Sequence, residues 1–219
     1  HCEQLLKEGA DILDIGGEST RPGAAPVGEA EEIDRVVPLI AAIRAESPVA
    51  ISIDTMKPAV ARAAVAAGAS LWNDVAALRF TPDALATAVE LGCEVCLMHM
   101  QGEPRTMQDD PRYEDVVGEV ETFLLTRAAA AETAGVARER IVLDPGLGFG
   151  KTTAHTLALL AATARLAGHG YRLLVGASRK RFIGALDPGA APDERLGGSI
   201  AAALIAVQGG AAILRVHDV

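Results

Sequence analysis

Val49-Ala-Ile-Ser-Ile53 is an apolar run that stops at Asp54-Thr55, and Pro58 then opens a helical pattern. A short β-branched run closed by a polar residue and followed by a helix is the unit of a parallel α/β fold. Proline suits the first helical turn, where its missing N–H is not needed. The same unit recurs in both directions along the chain. Upstream, Asp11-Ile-Leu-Asp14-Ile-Gly-Gly17 stops at Glu18-Ser-Thr-Arg21. Downstream, Leu71-Trp72 runs into Asn73-Asp74, Val95-Cys-Leu-Met98 into His99, and Ile141-Val-Leu143 into Asp144-Pro-Gly146. Leu173-Leu-Val175 then meets Ser178-Arg-Lys180, and Ile213-Leu-Arg215-Val216 meets His217-Asp218. Parallel strands alternating with helices place every polar strand end on one side. That gathers Arg21, Asp54, Asn73, His99, Asp144, Lys180, Arg215 and His217 at the mouth where a (β/α) barrel builds its active site. One polar strand end is ordinary turn chemistry. Seven in succession point to a site.

The spacing predicts helices over 2–9, 28–46, from Pro58, from Pro82 to Leu91, about 113–134, 154–167 and about 194–208, with strands over 10–16, 49–54, 70–75, 94–99, 141–144, 172–176 and 212–217. Loops are expected around Pro22 and around Gly102, Pro104 and Pro111. The expected fold class is α/β, a (β/α)8 barrel of the TIM type in a single domain, 1–219, with no linker or low-complexity segment. Seven strands against the barrel's eight lead to the expectation that a first strand and a last helix lie outside this sequence. An open seven-strand sheet is the alternative, and it would leave two bare edges.

Bulk properties agree with one enzyme domain of 219 residues, since such barrels run to roughly 200–250 residues. Hydrophobic residues make up 50% of the chain and aromatics 3%, so Ala, Val, Leu and Ile must build the core. The net charge of −9 excludes a general nucleic-acid surface. Cysteines 2, 93 and 96 make no disulfide framework, which favours a cytoplasmic setting. Cys93 and Cys96 lie at a strand entry, where alternation sends them to opposite faces. No apolar stretch approaches the ~18 residues that span a bilayer, so no membrane partner is expected.

Asp144-Pro-Gly-Leu-Gly-Phe-Gly-Lys151-Thr152 invites a phosphate-loop reading, but that motif needs glycine where Pro145 stands. Its glycines suit close backbone approach to a ligand, with Phe149 as an apolar wall, or else a plain left-handed turn. Asp54, Asn73 and Asp144 offer oxygens to ring N–H or amino groups, which suits a flat polar heterocycle such as a pterin or purine. Helix capping is the structural alternative for each, and two carboxylates also admit glycoside hydrolysis, against which the scarcity of aromatics counts. Arg21, Lys180, Arg215 and His217 form an opposing cationic group that implies phosphate or diphosphate. Arg179 is placed at solvent or the entrance. His99 is read either as a satisfied core histidine or as a chemical group.

At these residues the chain resembles the dihydropteroate synthases, pterin-binding TIM barrels. The likeness rests on seven ordered motifs over essentially the whole chain: Asp14-Ile-Gly-Gly-Glu-Ser-Thr-Arg-Pro-Gly-Ala24, Ile51-Ser-Ile-Asp-Thr55, Trp72-Asn-Asp74, Cys96-Leu-Met-His-Met-Gln-Gly102, Leu143-Asp-Pro-Gly-Leu-Gly-Phe-Gly-Lys151, Ser178-Arg-Lys180 and Arg215-Val-His-Asp218. The resemblance implies condensation of a dihydropterin methyl diphosphate with p-aminobenzoate, releasing pyrophosphate, in folate biosynthesis. It implies a pterin site of Asp54, Asn73, Asp144, Lys180 and Met98. It implies an aminobenzoate site of Thr20, Arg21, Phe149, Ser178 and Lys180, and a diphosphate site of Arg21, Arg215 and His217. Lys180, Asp144, Arg215 and His217 are the implied catalytic residues. Magnesium is the implied cofactor, but its family Asn sits in a first-strand segment that residues 1–9 do not match, so metal ligands stay unknown. A homodimer is implied as well. A corrinoid-linked methyltransferase and a non-catalytic pterin-binding paralogue are the alternatives. Ser178-Arg-Lys180 and Arg215-Val-His217 favour the synthase over the methyltransferase, because methyl transfer has no diphosphate to receive. The Ser19-Thr-Arg-Pro22 loop favours catalysis over mere binding.

Overall fold

The computed structural model describes residues 1–21, 23–103 and 106–219, so Pro22 and Pro104, expected as loop residues, lie outside what is described. The strands are β1 (Ile12–Gly16), β2 (Ala50–Asp54), β3 (Leu71–Asp74), β4 (Glu94–Met98), β5 (Ile141–Asp144), β6 (Arg172–Val175) and β7 (Ile213–Leu214). They form one parallel sheet in sequence order, β1 to β7. The helices are α1 (Cys2–Glu8), α2 (Glu29–Glu46), α3 (Pro58–Ala67), α4 (Ala84–Leu91), α5 (Val116–Ala134), α6 (Thr153–Ala161), α7 (Thr163–Ala167), α8 (Arg181–Leu186) and α9 (Leu196–Gln208). Among the described residues no helix is long and apolar enough to cross a membrane.

Period-two alternation sorts every strand into two faces. Leu13, Ile15, Ile51, Ile53, Trp72, Val95, Leu97, Ile141, Leu143, Leu173 and Val175 join the large cluster shared with the helices, which supply Val36, Ile40, Val60, Val120, Leu124 and Leu159. The other face carries a small second cluster of Leu71, Cys96, Val142 and Leu174, with Ile213 against it. Two residues further along each strand, the same inner face presents Asn73, Met98, Asp144, Gly176 and Arg215. The inner face is thus apolar at its floor and polar at its rim. Cys93 packs into the outer cluster and Cys96 into the inner one, as alternation requires.

The sheet is curled. Arg215, following β7, reaches Asp14 on β1 through Nε at 2.5 Å and Asp54 on β2 through Nη2 at 3.1 Å. β7 lies at one edge of the sheet order and β1, with β2 beside it, at the other, so only a sheet bent into most of a barrel brings them together.

Several element ends differ from the spacing, each for a local reason. Helix α5 begins at Val116 because Asp115 accepts from the Gly118 amide and Glu119 accepts back from the Asp115 amide, two orphan donors satisfied at once. Helix α4 begins at Ala84, after a turn closed by Ala84 N–H to Thr81 C=O. The expected helix over 154–167 is two, α6 and α7, divided at Ala162. Helix α8 was not anticipated, and its six residues are too short for periodicity to register. The last strand is shorter than 212–217: after Arg215 N–H bonds to Val175 C=O, the chain turns away and His217 N–H takes the Ser178 hydroxyl instead.

Candidate active site

Register sets the rim. Asp54 lies beside Gly16 on one flank and Asn73 on the other, and Met98 lies beside Asp144. Asn73, Met98 and Asp144 are buried, while Asp54 is partly open. One Asp144 oxygen accepts from the Gly146 amide at 2.7 Å, which leaves the other for a ligand. Burial pushes the Asp144 carboxyl above the usual range, and Lys180 opposes that shift. Burial, helped by the neighbouring Asp14 charge and opposed by Arg215, pushes Asp54 up to about 7.

Arg215 is held in a fork by Asp14 and Asp54. Burial works against its charge, but the two carboxylates outweigh burial and raise its pKa. Asp14 was not singled out as a site residue from the sequence. A charge in the middle of Ile12-Leu-Asp-Ile15 was a visible anomaly, and alternation alone would have put it on the inner face with Gly16.

Lys180 stands at the start of α8 with its ammonium on the Leu147 carbonyl and 4.8 Å from the Phe149 ring centroid, a cation–π distance. Burial lowers its pKa to about 8, although Asp144 favours the charge. The glycine loop makes this approach possible. Gly146 has φ +63°, and a Cβ there would stand 2.0 Å from the His99 carbonyl oxygen, so no side chain fits. Phe149 packs against a cluster of Val75, Met98, Met100 and Met107 with Met56, which takes in all four methionines of the chain. Thioethers fill irregular gaps and adapt to flat rings.

His217 and Ser178 meet at 3.2 Å, Nδ1 to Oγ, and burial lowers the histidine pKa. Arg179, expected at solvent or the entrance, ion-pairs with Asp218. Thr20 is half-buried and Arg21 exposed on the loop after β1, and the Arg21 charge helps to lower the His217 pKa. His99 is a core residue. Its Nδ1 lies 2.9 Å from the Lys151 ammonium, and burial with that neighbour pushes its pKa down to about 3. Lys151, which ends the glycine-rich motif but was given no site role, bonds to the Phe149 and His99 carbonyls, and burial lowers its pKa to about 7.

The "Pterin binding enzyme" family model matches residues 1–217. The chain is 49% identical over 219 residues to the dihydropteroate synthase of Escherichia coli K12, covering 100% of this chain and 77% of that protein. The chain belongs to the dihydropteroate synthases. They are transferases of folate biosynthesis, and the corrinoid-linked alternative falls away at this identity. A Xanthomonas albilineans dihydropteroate synthase structure with 4-aminobenzoic acid superposes with TM-score 0.94 at 52% identity, over 100% of this chain and 77% of that one. A second structure of that synthase, in complex with 7,8-dihydropteroate, gives 0.91 at 48%, over 100% and 78%. The curled seven-stranded sheet is therefore the dihydropteroate synthase barrel fold, and its inner rim is the place to look for the chemistry.

Proposed function

We infer that this chain joins 7,8-dihydropterin-6-ylmethyl diphosphate to p-aminobenzoate, releasing pyrophosphate and forming 7,8-dihydropteroate. The observation that supports the residue assignment is the rim itself. Three acceptors on the inner face, Asp54 beside Asn73 and Asp144 on the far side of Met98, surround an apolar floor beside a methionine and phenylalanine wall. A flat heterocycle with N–H groups along its edge fits that frame, with Asp54, Asn73, Asp144 and Lys180 as its polar partners and Met98 against its face.

The carbon–oxygen bond to the diphosphate breaks first, leaving a methylene cation conjugated with the pterin. The aromatic amine then attacks that carbon and loses a proton. No nucleophilic side chain is needed, so catalysis rests on positioning and on charge placed in advance. Asp54 and Asp144 favour the positive charge that spreads into the ring. Arg215 and His217, with Arg21 from the loop, receive the departing anion. The Lys180 ammonium over Phe149, with Thr20, Arg21 and Ser178, frames the aminobenzoate. Magnesium is an expectation of the resemblance. Among the described residues no three His, Cys, Asp or Glu side chains come together to hold a metal, and no step here is routed through one. A homodimer belongs to the same proposal, supported by the exposed apolar side chains Ile200, Leu204 and Val207 on α9. Sedimentation showing only monomer at micromolar concentration would remove that part.

The test of function is pyrophosphate release from the two substrates together, with none from either alone. A pH dependence follows from Asp54. Ring N–H groups prefer the ionised carboxylate, so a ligand lowers the Asp54 pKa and binding expels its proton below about pH 7. Pterin affinity should therefore rise as pH goes from about 5 to 7 and then level off. Calorimetry at pH 6 in two buffers of different ionisation enthalpy measures the released proton. Equal heats in both buffers would refute the assignment.

A further inference from the structure

Lys57, Glu18 and Glu32 form a largely buried ion cluster that joins the loop after β1, helix α2 and the start of α3. The Lys57 ammonium lies 2.6 Å from Glu18 Oε2 and 2.5 Å from Glu32 Oε2. Glu32 is fully buried and Lys57 nearly so. Burial opposes the charge on Lys57, yet the two carboxylates raise its pKa. Glu32 occupies the inner face of α2 in line with Val36, Ile40 and Ile43, where an apolar side chain would be the cheaper occupant. Its other oxygen, Oε1, is buried without a partner among the described residues. A charged group kept at such a position asks for a purpose beyond stability.

The purpose is visible in what Glu18 does with its second oxygen. Glu18 Oε1 accepts from the Val27 amide at 2.9 Å. One carboxylate thus closes both ends of the loop between β1 and α2, and through Oε2 it ties that closure to Lys57 at the start of α3. Two further contacts seat the base of the loop. Arg35 donates to the Gly17 carbonyl at 2.8 Å, and a Cβ at Gly17 would stand 2.8 Å from Glu32 Cγ, so the backbone lies directly on the buried acid. Between the two tied ends the loop carries Thr20 and Arg21.

We propose that Glu18 and Lys57, with Glu32 behind them, are positioning residues: a strap that fixes the loop bearing Thr20 and Arg21 at the height where the aromatic amine binds. The proposal rests on the functional reading above. None of the three hydrogen-bonds to a rim side chain, and Glu32 reaches the pterin frame only through its charge, which helps to raise the Asp54 pKa; the strap's hydrogen bonds act on the aminobenzoate side.

Glu18→Gln tests it most cleanly, because an amide has one acceptor oxygen where the carboxylate has two. The variant can keep Val27 or Lys57 but not both. In the protein as the cell makes it, KM for p-aminobenzoate should rise about tenfold, while pterin Kd stays within about twofold and amide exchange at Val27 quickens. The double variant Lys57→Met/Glu32→Gln removes the two most buried charges together and leaves Glu18, the more open carboxylate, on the Val27 amide. At pH 8, where Asp54 is largely ionised with or without Glu32, it should show the same split between KM and pterin affinity while remaining folded. A pterin Kd that weakens in parallel with KM would make the cluster a general structural weld and overturn the positioning role. An active wild type with an indifferent Glu18→Gln variant sinks this proposal alone, whereas an inactive wild type sinks the functional reading with it.

Discussion

Replacing Lys180 with alanine is expected to lower turnover by about two to three orders of magnitude, the scale seen when one preorganised charge is removed from a closed site. The ammonium has three neighbours that no other side chain serves together. It donates to the Leu147 carbonyl, lies over Phe149, and shares the field of Asp144. Removing it therefore loosens the glycine loop, the aromatic wall and the carboxylate frame in one change. With a pKa near 8, Lys180 is mostly charged at neutral pH, so the charge is present when the diphosphate leaves. Lys180→Arg should recover only part of the rate, since a planar fork cannot repeat an ammonium's point contacts. Single-turnover kinetics with both substrates saturating measures the chemical step. A rate within threefold of wild type would remove Lys180 from the catalytic assignment.

Asp144→Asn is expected to weaken pterin binding by about 1.5–3 kcal/mol, the range for a hydrogen bond to a charged group. The substitution is informative because of how the carboxylate is already used. One oxygen holds the Gly146 amide, and an asparagine oxygen can hold it equally well, so the turn survives. What is lost is the second oxygen and the negative charge. Calorimetric titration with a pterin reads the difference directly. Unchanged affinity in a folded variant would leave Asp144 as a loop-capping residue and nothing more.

The barrel was legible because its signal repeats. Runs such as Ile51-Ser-Ile-Asp54 and Ile141-Val-Leu-Asp144 carry their own alternation, and seven copies outweigh any local ambiguity. Helix ends were less legible. Asp115 could have been recognised as a cap, with Glu119 four residues on, but α8 is too short to show a period. The candidates at strand ends, Asp54, Asn73, Asp144 and Arg215, could be placed on one face because topology alone decides which end of a parallel strand faces the mouth. The structure does bring these together, and it brings Lys180, Phe149 and Met98 to the same rim.

Three things only the tertiary structure decided. Asp14 carries no role in the strand and motif that contain it, and curling of the sheet sets it 2.5 Å from Arg215 at the other edge of the strand order. Lys57 and Glu32 belong to two different helical segments and share no motif, so nothing in the local sequence couples them. Their ion pair exists because α2 and α3 pack side by side on neighbouring strands. His99 stood open between core and chemistry until Lys151, 52 residues away, was found against its ring and settled it as a neutral core group. Alternation and strand ends are properties of the chain over a few residues, and the sequence by itself determines them. Charge pairing across the barrel depends on curvature and helix packing, which are properties of the whole.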